Sequence, residues 1–225
     1  MRLSIVIPTL QEAGGIVAAL SALQALRADG HEVIVVDGGS DDVTLTLARP
    51  WVDIALTTGS GRARQMNAGA RTAHGNVLLF LHADSTLPNS AVMAIAAAMA
   101  RGARWGRFDV TIRGQPRILR VVAAMMNLRS RVSGIATGDQ GIFVESALFA
   151  TVGGFPELPL MEDIALSKIL KLAAGRPACL APRIATSGRR WEKRGPWTTI
   201  VEMWRLRAAY ALGADPNELA RRYGR

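Results

Sequence analysis

A doubly wound α/β domain is the fold class this sequence predicts, and three observations predict it. The apolar runs LSIVIP (3–8), HEVIVVDGGS (31–40) and NVLLFLHA (76–83) are continuous rather than alternating, as in parallel strands covered on both faces. Segments of helical period separate them. Polar residues gather where the runs end, at Thr9 to Glu12, Asp37 to Asp42 and His82 to Asp84. Open α/β sheets bind ligands beyond the carboxyl ends of their strands, so these ends locate a site.

The elements follow in order. Leu3 to Ile7 is a strand stopped by Pro8. Gln11 to Leu26 carries Ile16, Val17, Leu20, Leu23 and Leu26 at helical spacing, one helix with a buried face. The strand ending at Asp37 breaks into glycine, Asp42 to Ala48 reads as a helix, and Ile54 to Leu56 as a short strand. GRARQMNAGARTAHG (61–75) places Ala63, Met66, Ala70 and Ala73 on one helical face. Past Pro88, Ser90 to Met99 is an alanine-rich helix, and WGRFDVTIRG (105–114) alternates like an antiparallel strand. Ile118 to Arg131 is a basic amphipathic segment and QGIFV (140–144) a short strand. A proline-rich loop feeds a helix within 155–173, ACLAP (178–182) is a strand, and Pro196 to Leu212 is a final helix. No internal repeat or low-complexity linker interrupts the chain.

With 225 residues, 49% of them hydrophobic and 20% charged, the chain has the composition of an ordered globular protein. No apolar run reaches the about 18 residues of a membrane span. No signal-peptide pattern follows the N-terminal strand, so the cytoplasm is the expected compartment. The single cysteine, Cys179, excludes an intrachain disulfide and gives no metal cluster. A net charge of +9 calls for anionic partners: nucleotide phosphates, nucleic acid or a membrane surface. Residues 1–88 are nearly balanced; much of the surplus lies in 113–131 and from Arg189 onward.

Each motif has a functional and a structural reading. In VDGGSDD (36–42), Asp37 can accept from a base N–H or a ribose hydroxyl, while Asp42 caps the next helix. The spacing is neither a dinucleotide fingerprint nor a P-loop. In GRARQMN (61–67), Arg62 and Arg64 near a helix start suit a phosphate or form a solvated face. In HAD (82–84), His82 and Asp84 share a face if the chain stays extended; one carboxylate there holds a magnesium-type ion on a diphosphate, or starts a turn. In MED (161–163), the adjacent acids cap a helix or supply a general base. In SGRRWEKRG (187–195), arginine beside Trp191 binds phosphate or sugar, or forms a basic loop pinned by a buried indole.

Taken in order, P-T-x-x-E, VDGGS-x-D, GRAxQMNxGA, LLFLHAD, GDQGIF, GGFP…MED and RRW resemble the family-2 glycosyltransferases of the GT-A fold. The resemblance is nearest to the small stand-alone branch of arsenosugar-biosynthesis-type glycosyltransferases. It implies a GT-A, Rossmann-like domain over 1–225: a mixed, mostly parallel central sheet with helices on both faces and C-terminal acceptor-side helices. Residues 1–88 would form the nucleotide-binding half and 89–225 the acceptor-side half.

The implied chemistry is inverting transfer of one sugar from a nucleotide-diphospho-sugar donor to an acceptor hydroxyl, assisted by a divalent metal (Mg or Mn). Carried over, Pro8, Thr9 and Glu12 would line the base and ribose pocket. Asp37 would accept from the base, Arg62 would approach it or the phosphates, and His82 would lie by the ribose. Asp84 would hold the metal, and Asp163 would be the general base. Glu162, Gly138, Asp139, Gln140, Arg190 and Trp191 would face the acceptor or diphosphate. The implied acceptor is small or lipid-linked, with a possible peripheral membrane contact on the inner face and no nucleic acid. Gln11 stands where the family has asparagine, Gly38 where it has a second acid, and Ser187 where polymerising members have glutamine. Two rivals stand beside this reading. A sugar-nucleotide pyrophosphorylase needs a glycine-rich basic loop that IPTLQEAGG does not supply. A basic nucleic-acid-binding protein leaves the strand-end acids unexplained.

Overall fold

The computed structural model describes residues 1–223, apart from the side chains of Arg190 and Lys193. Strands β1 (Leu3–Thr9), β2 (Glu32–Asp37), β3 (Ile54–Thr57) and β4 (Val77–Phe80) pair in parallel, with β1 between β2 and β4 and β3 outside β2. Between them run α1 (Ile16–Ser21), α2 (Gln24–Ala28), α3 (Thr44–Ala48), a 3-10 turn at Arg49–Trp51, and α4 (Arg62–Thr72). The second half adds β5 (Ser85–Thr86), α5 (Ala91–Ala100), β6 (Trp105–Arg113), α6 (Ile118–Ser133), a 3-10 turn at Gly138–Gln140, β7 (Ile142–Glu145) and α7 (Ser146–Thr151). It continues through α8 (Glu162–Ala174), β8 (Ala178–Ser187), α9 (Arg189–Arg194), α10 (Pro196–Ala211) and α11 (Pro216–Tyr223). All eight strands form one mixed sheet in the order β3-β2-β1-β4-β7-β6-β8-β5.

Burial on both faces explains the continuous apolar runs. Every residue of β1, β2 and β4 is buried, and alternate side chains feed opposite layers. On one side Leu3, Ile5, Val33, Val35 and Leu79 pack with Ile16, Leu20 and Ile95. On the other, Val6, Ile34, Val36, Leu78 and Phe80 pack with Met66, Phe149, Phe155 and Leu166. Two smaller clusters hold the later helices: Val110, Ile112, Leu119 and Val122 with Trp191 and Ile200, and Met161 and Ile164 with Leu206 and Leu219.

Several local expectations change; the helix expected to be the last, Pro196 to Leu212, is followed by α11. The single helix over Gln11 to Leu26 is two helices, and the chain is not helical before Ile16. Gly14 and Gly15 weaken helix there, and the Glu12 carbonyl instead accepts from the N–H groups of Gly15 (3.0 Å) and Ile16 (2.9 Å). The expected extended run through Ala83 stops at Phe80, after which the His82 carbonyl accepts from the Ser85 N–H at 3.0 Å, closing a turn. Strand β6 is antiparallel to β7 but parallel to β8, and its burial is nearly continuous rather than alternating because both faces are covered. Strand β8 runs past Pro182 to Ser187; the register shift at Phe108/Asp109 leaves Pro182 out of the ladder.

Helix α4 lies close on the sheet through a glycine. A methyl group on Gly69 would stand 2.5 Å from Val6 Cγ1 and 3.0 Å from Val36 Cγ2, both β-branched side chains of the core. We therefore expect Gly69→Ala to destabilise the fold by about 1–3 kcal/mol despite its gain in helix propensity. Urea unfolding checks this, and an unchanged or raised midpoint would contradict so close a packing of α4.

Candidate active site

The carboxyl ends of β1 and β4, the start of α4 and the start of α8 open on one cavity of about 880 Å³. Pro8, Thr9 and Glu12 line it from β1 and the loop after it, Arg62 from the first turn of α4, and His82 and Asp84 from the turn after β4. Gly138, Asp139, Glu162, Asp163 and Trp191 line its other side. The turn that replaces the extended run still delivers both His82 and Asp84 to the cavity.

Two expected residues stand outside the lining. Asp37 is 2% exposed, and its carboxylate accepts from the Thr9 hydroxyl (3.2 Å), the Gly39 N–H (3.0 Å), the Ser40 N–H (2.7 Å) and the Ser40 hydroxyl (2.6 Å). A carboxylate has about four lone-pair positions, so Asp37 is occupied in fixing the turn after β2. Gln140 is fully buried: its amide donates to the Ser130 hydroxyl at 3.1 Å and its carbonyl accepts from the Thr137 N–H at 3.2 Å. It secures the 3-10 turn rather than facing the cavity. The expected Arg190 contact falls on a side chain outside the described residues. Asp42, expected to cap α3, stands one residue ahead of the cap position, which Val43 holds; its carboxylate accepts from the Thr44 N–H (2.9 Å) and the Ala13 N–H (3.2 Å).

The acidic pair of MED is not a helix cap. Met161 occupies the cap position in left-handed geometry (φ 68°), rare for a side chain other than glycine. Asp163 Oδ2 accepts from the Gly138 N–H (2.9 Å) and Oδ1 from the Ile164 N–H (2.7 Å). The GDQ and MED segments are thereby locked together. His82 Nδ1 lies 3.2 Å from Asp139 Oδ1, and a methyl group on Gly138 would come within 2.5 Å of His82 Nε2. Only glycine leaves room for the imidazole there.

Burial pushes the Glu162 carboxyl above its ordinary range, aided by the Asp163 charge and opposed by Arg62 and His82. Burial also raises Asp163, against the two N–H groups and Arg62 that favour its ionised form. A recessed carboxylate of raised basicity is suited to accept a proton near neutral pH.

Several site residues were not singled out as such in the sequence. Gln65 donates to the Thr9 and Val36 carbonyls, both at 2.8 Å, tying the ends of β1 and β2. Asn67 pairs with the backbone of Phe155 in both directions at 2.8 Å, which joins the GRAxQMN and GGFP segments. Arg189 reaches Glu12 at 3.1 Å and Asp84 at 3.8 Å, so α9 closes over the β1 and β4 ends. Arg129 continues the inward line Leu119, Val122, Met126 along α6; a charge on an apolar stripe was the legible signal.

The chain matches the family model described as "Glycosyl transferase family 2" over residues 4–146. A "PGL/p-HBAD biosynthesis glycosyltransferase" of Mycobacterium tuberculosis is 36% identical over 102 residues, 42% of this chain and 40% of that protein. The chain thus matches less than half the length of that relative. Among solved structures, S. aureus TarS in complex with UDP-GlcNAc superposes with TM-score 0.67 and 22% identity, over 83% of this chain and 58% of that one. The mannosyltransferase PcManGT from Pyrobaculum calidifontis, in complex with GDP-Man and Mn2+, gives TM-score 0.65 and 23% identity over 92% and 61%. The likeness establishes the GT-A fold, and the matches do not distinguish the arsenosugar-type branch.

The buried acids give a stability prediction. A carboxyl whose pKa is raised by folding binds more protons in the native state, so its ionisation lowers stability as pH rises from its ordinary range through the raised value. Glu162→Gln should unfold at a higher temperature than the native protein at neutral pH. That advantage should shrink as pH falls toward about 4. Lower stability of the variant at pH 7 would show that the ionised carboxylate is stabilised, not strained.

Proposed function

This chain belongs to glycosyl transferase family 2, and from that premise we propose that it is an inverting glycosyltransferase. In this reading it moves a single sugar from a nucleotide-diphospho-sugar to an acceptor hydroxyl. The supporting observation is the convergence, on one cavity, of the polar ends of β1 and β4 with the buried Glu162–Asp163 pair. Pro8, Thr9 and Glu12 flank the base and ribose, and His82 lies by the ribose. Arg62, at the N-terminal turn of an eleven-residue helix, meets the phosphates. Asp37 serves the donor through the turn it braces.

The donor set fits a hard divalent cation. Asp84 is partly exposed to the cavity, and among the described residues its carboxylate meets the Ser85 hydroxyl at 3.5 Å and Arg189 at 3.8 Å. The described residues contain no group of three or more His, Cys, Asp or Glu side chains able to hold a metal unaided. Magnesium and manganese sites on nucleotides need no such cage, because one carboxylate joins phosphate oxygens and water. Asp84 would hold the ion, which when bound offsets charge on the leaving diphosphate.

On the acceptor side, Asp163 takes the proton of the attacking hydroxyl. The acceptor oxygen bonds to the anomeric carbon as the bond from that carbon to the diphosphate oxygen breaks. The nucleoside diphosphate departs and the configuration inverts. The Gly138 and Ile164 N–H groups hold the carboxylate in place during the transfer, while Glu162, Gly138, Asp139 and Trp191 border the acceptor. The acceptor is small or lipid-linked in this reading, which is supported by the apolar side chains of Met125, Met126, Leu160, Ile164, Met203 and Trp204 in the cavity wall.

The apolar character continues outside. Val121, Met125, Leu128 and Val132 form one exposed stripe on α6, and Trp197, Val201 and Trp204 form another on α10. Exposed Arg117, Arg120 and Arg205 lie along them. Tryptophan and arginine beside apolar stripes suit a peripheral contact with an anionic bilayer, on the inner face of the membrane. Among the described residues no helix is long and apolar enough to cross one.

Two measurements follow. Asp163→Asn should lower transfer by about 10²–10⁴-fold while leaving nucleoside diphosphate binding intact; transfer within a few-fold of the native rate would remove Asp163 as the base. Vesicles of phosphatidylcholine with phosphatidylglycerol should retain the protein in sedimentation, and Trp197→Ser with Leu128→Ser should release it. Equal retention of the variant, or none of the native protein, would refute the membrane contact.

A further inference from the structure

Two arginines on the acceptor side of the cavity carry buried N–H groups with no hydrogen-bond partner among the described residues: Arg129 through Nε and Nη2, and Arg207 through Nε. Arg129 projects from α6 and Arg207 from α10, and both helices repeat one arrangement. Met125 and Met126 line the cavity one turn before Arg129; Met203 and Trp204 line it one turn before Arg207. Buried donors are ordinarily satisfied, and a charged one left unmade is especially unfavourable. Burial pushes the Arg129 guanidinium below its ordinary value, with the Asp163 and Asp139 charges opposing and the Arg107 charge adding to it, and the Asp163 hydrogen bonds go to Gly138 and Ile164.

We infer that the acceptor carries an anionic group, a phosphate monoester or a carboxylate, attached to an apolar body, and that Arg129 with Arg207 receives it. The inference rests on the proposed transfer only for calling this ligand the acceptor. Arginine suits the task because its planar fork of N–H donors matches two oxygens of one anion. The paired methionines and Trp204 then cover the apolar body, methionine adapting to irregular shapes. Anchored between α6 and α10, such a ligand is bordered by the α8 start that carries Asp163.

The test is calorimetric titration of the native protein, Arg129→Gln, Arg129→Lys and Arg207→Gln with hexyl phosphate, hexanoate and hexanol, and separately with UDP and GDP. The anionic amphiphile should bind the native protein more tightly than hexanol, and whichever of phosphate or carboxylate binds names the anion. Arg129→Gln should weaken it about ten- to hundredfold, with a smaller loss for Arg207→Gln and partial retention in Arg129→Lys. The nucleoside diphosphates should bind Arg129→Gln as they bind the native protein, which also shows that the variant folds. Hexyl phosphate or hexanoate binding no better than hexanol, or unchanged in Arg129→Gln, would overturn the inference and leave the guanidinium as a counter-charge for Asp163. Loss of UDP or GDP binding with the amphiphile unaffected would overturn it too, placing Arg129 on the donor diphosphate. Loss of the amphiphile in Arg129→Gln, where no nucleotide binds the native protein, would keep the anion subsite and refute the transferase reading instead.

Discussion

The hydrogen bond from the Gly138 N–H to Asp163 Oδ2, 2.9 Å long, is the contact on which the geometry of the site depends. It joins two segments that the fold brings from opposite directions: the turn before β7 and the start of α8. Gly138 lacks a side chain, which leaves room for the His82 imidazole against it, and His82 in turn meets Asp139. One backbone amide thereby sets the position of the candidate base relative to the end of β4. A carboxylate held by two N–H groups cannot rotate freely, and preorganisation of this kind is what a proton acceptor needs.

Strain and burial concentrate at the same place. The non-glycine residues with positive φ among those described are Gln11 and Met161, and each precedes a carboxylate of the cavity, Glu12 and Glu162. Glu162 and Asp163 are both driven toward their protonated forms by burial, and Arg62 opposes this from across the cavity. A sheet with apolar layers on both faces supplies the stability that such a site draws on. Arg189, Asn67 and Gln65 tie the loops to it at three points.

Much of this was legible in the residues. Continuous apolar runs show the parallel half of the sheet, and the polar ends of two of them, β1 and β4, open on the cavity, while the end of β2 at 37–42 does not line it. The route of the later chain was less legible. Nothing local in WGRFDVTIRG tells that one strand lies antiparallel to β7 and parallel to β8, since pairing is settled by distant segments. Asp37 shows the same limit: its position at a strand end pointed to a ligand, and only the placement of Thr9, Gly39 and Ser40 reveals a carboxylate already occupied. Arg129 is readable from helical spacing, as a charge on the inward stripe of α6.

In the proposed function, the groups at the ends of β1 and β4 form a nucleoside diphosphate site completed by a divalent cation. Calorimetric titration of the purified protein with UDP and with GDP, each with and without manganese, tests it most directly. At least one of them should bind, and manganese should strengthen that binding through Asp84. Absence of binding by either nucleotide at any manganese concentration would contradict it, leaving the fold in place and the cavity without its proposed donor.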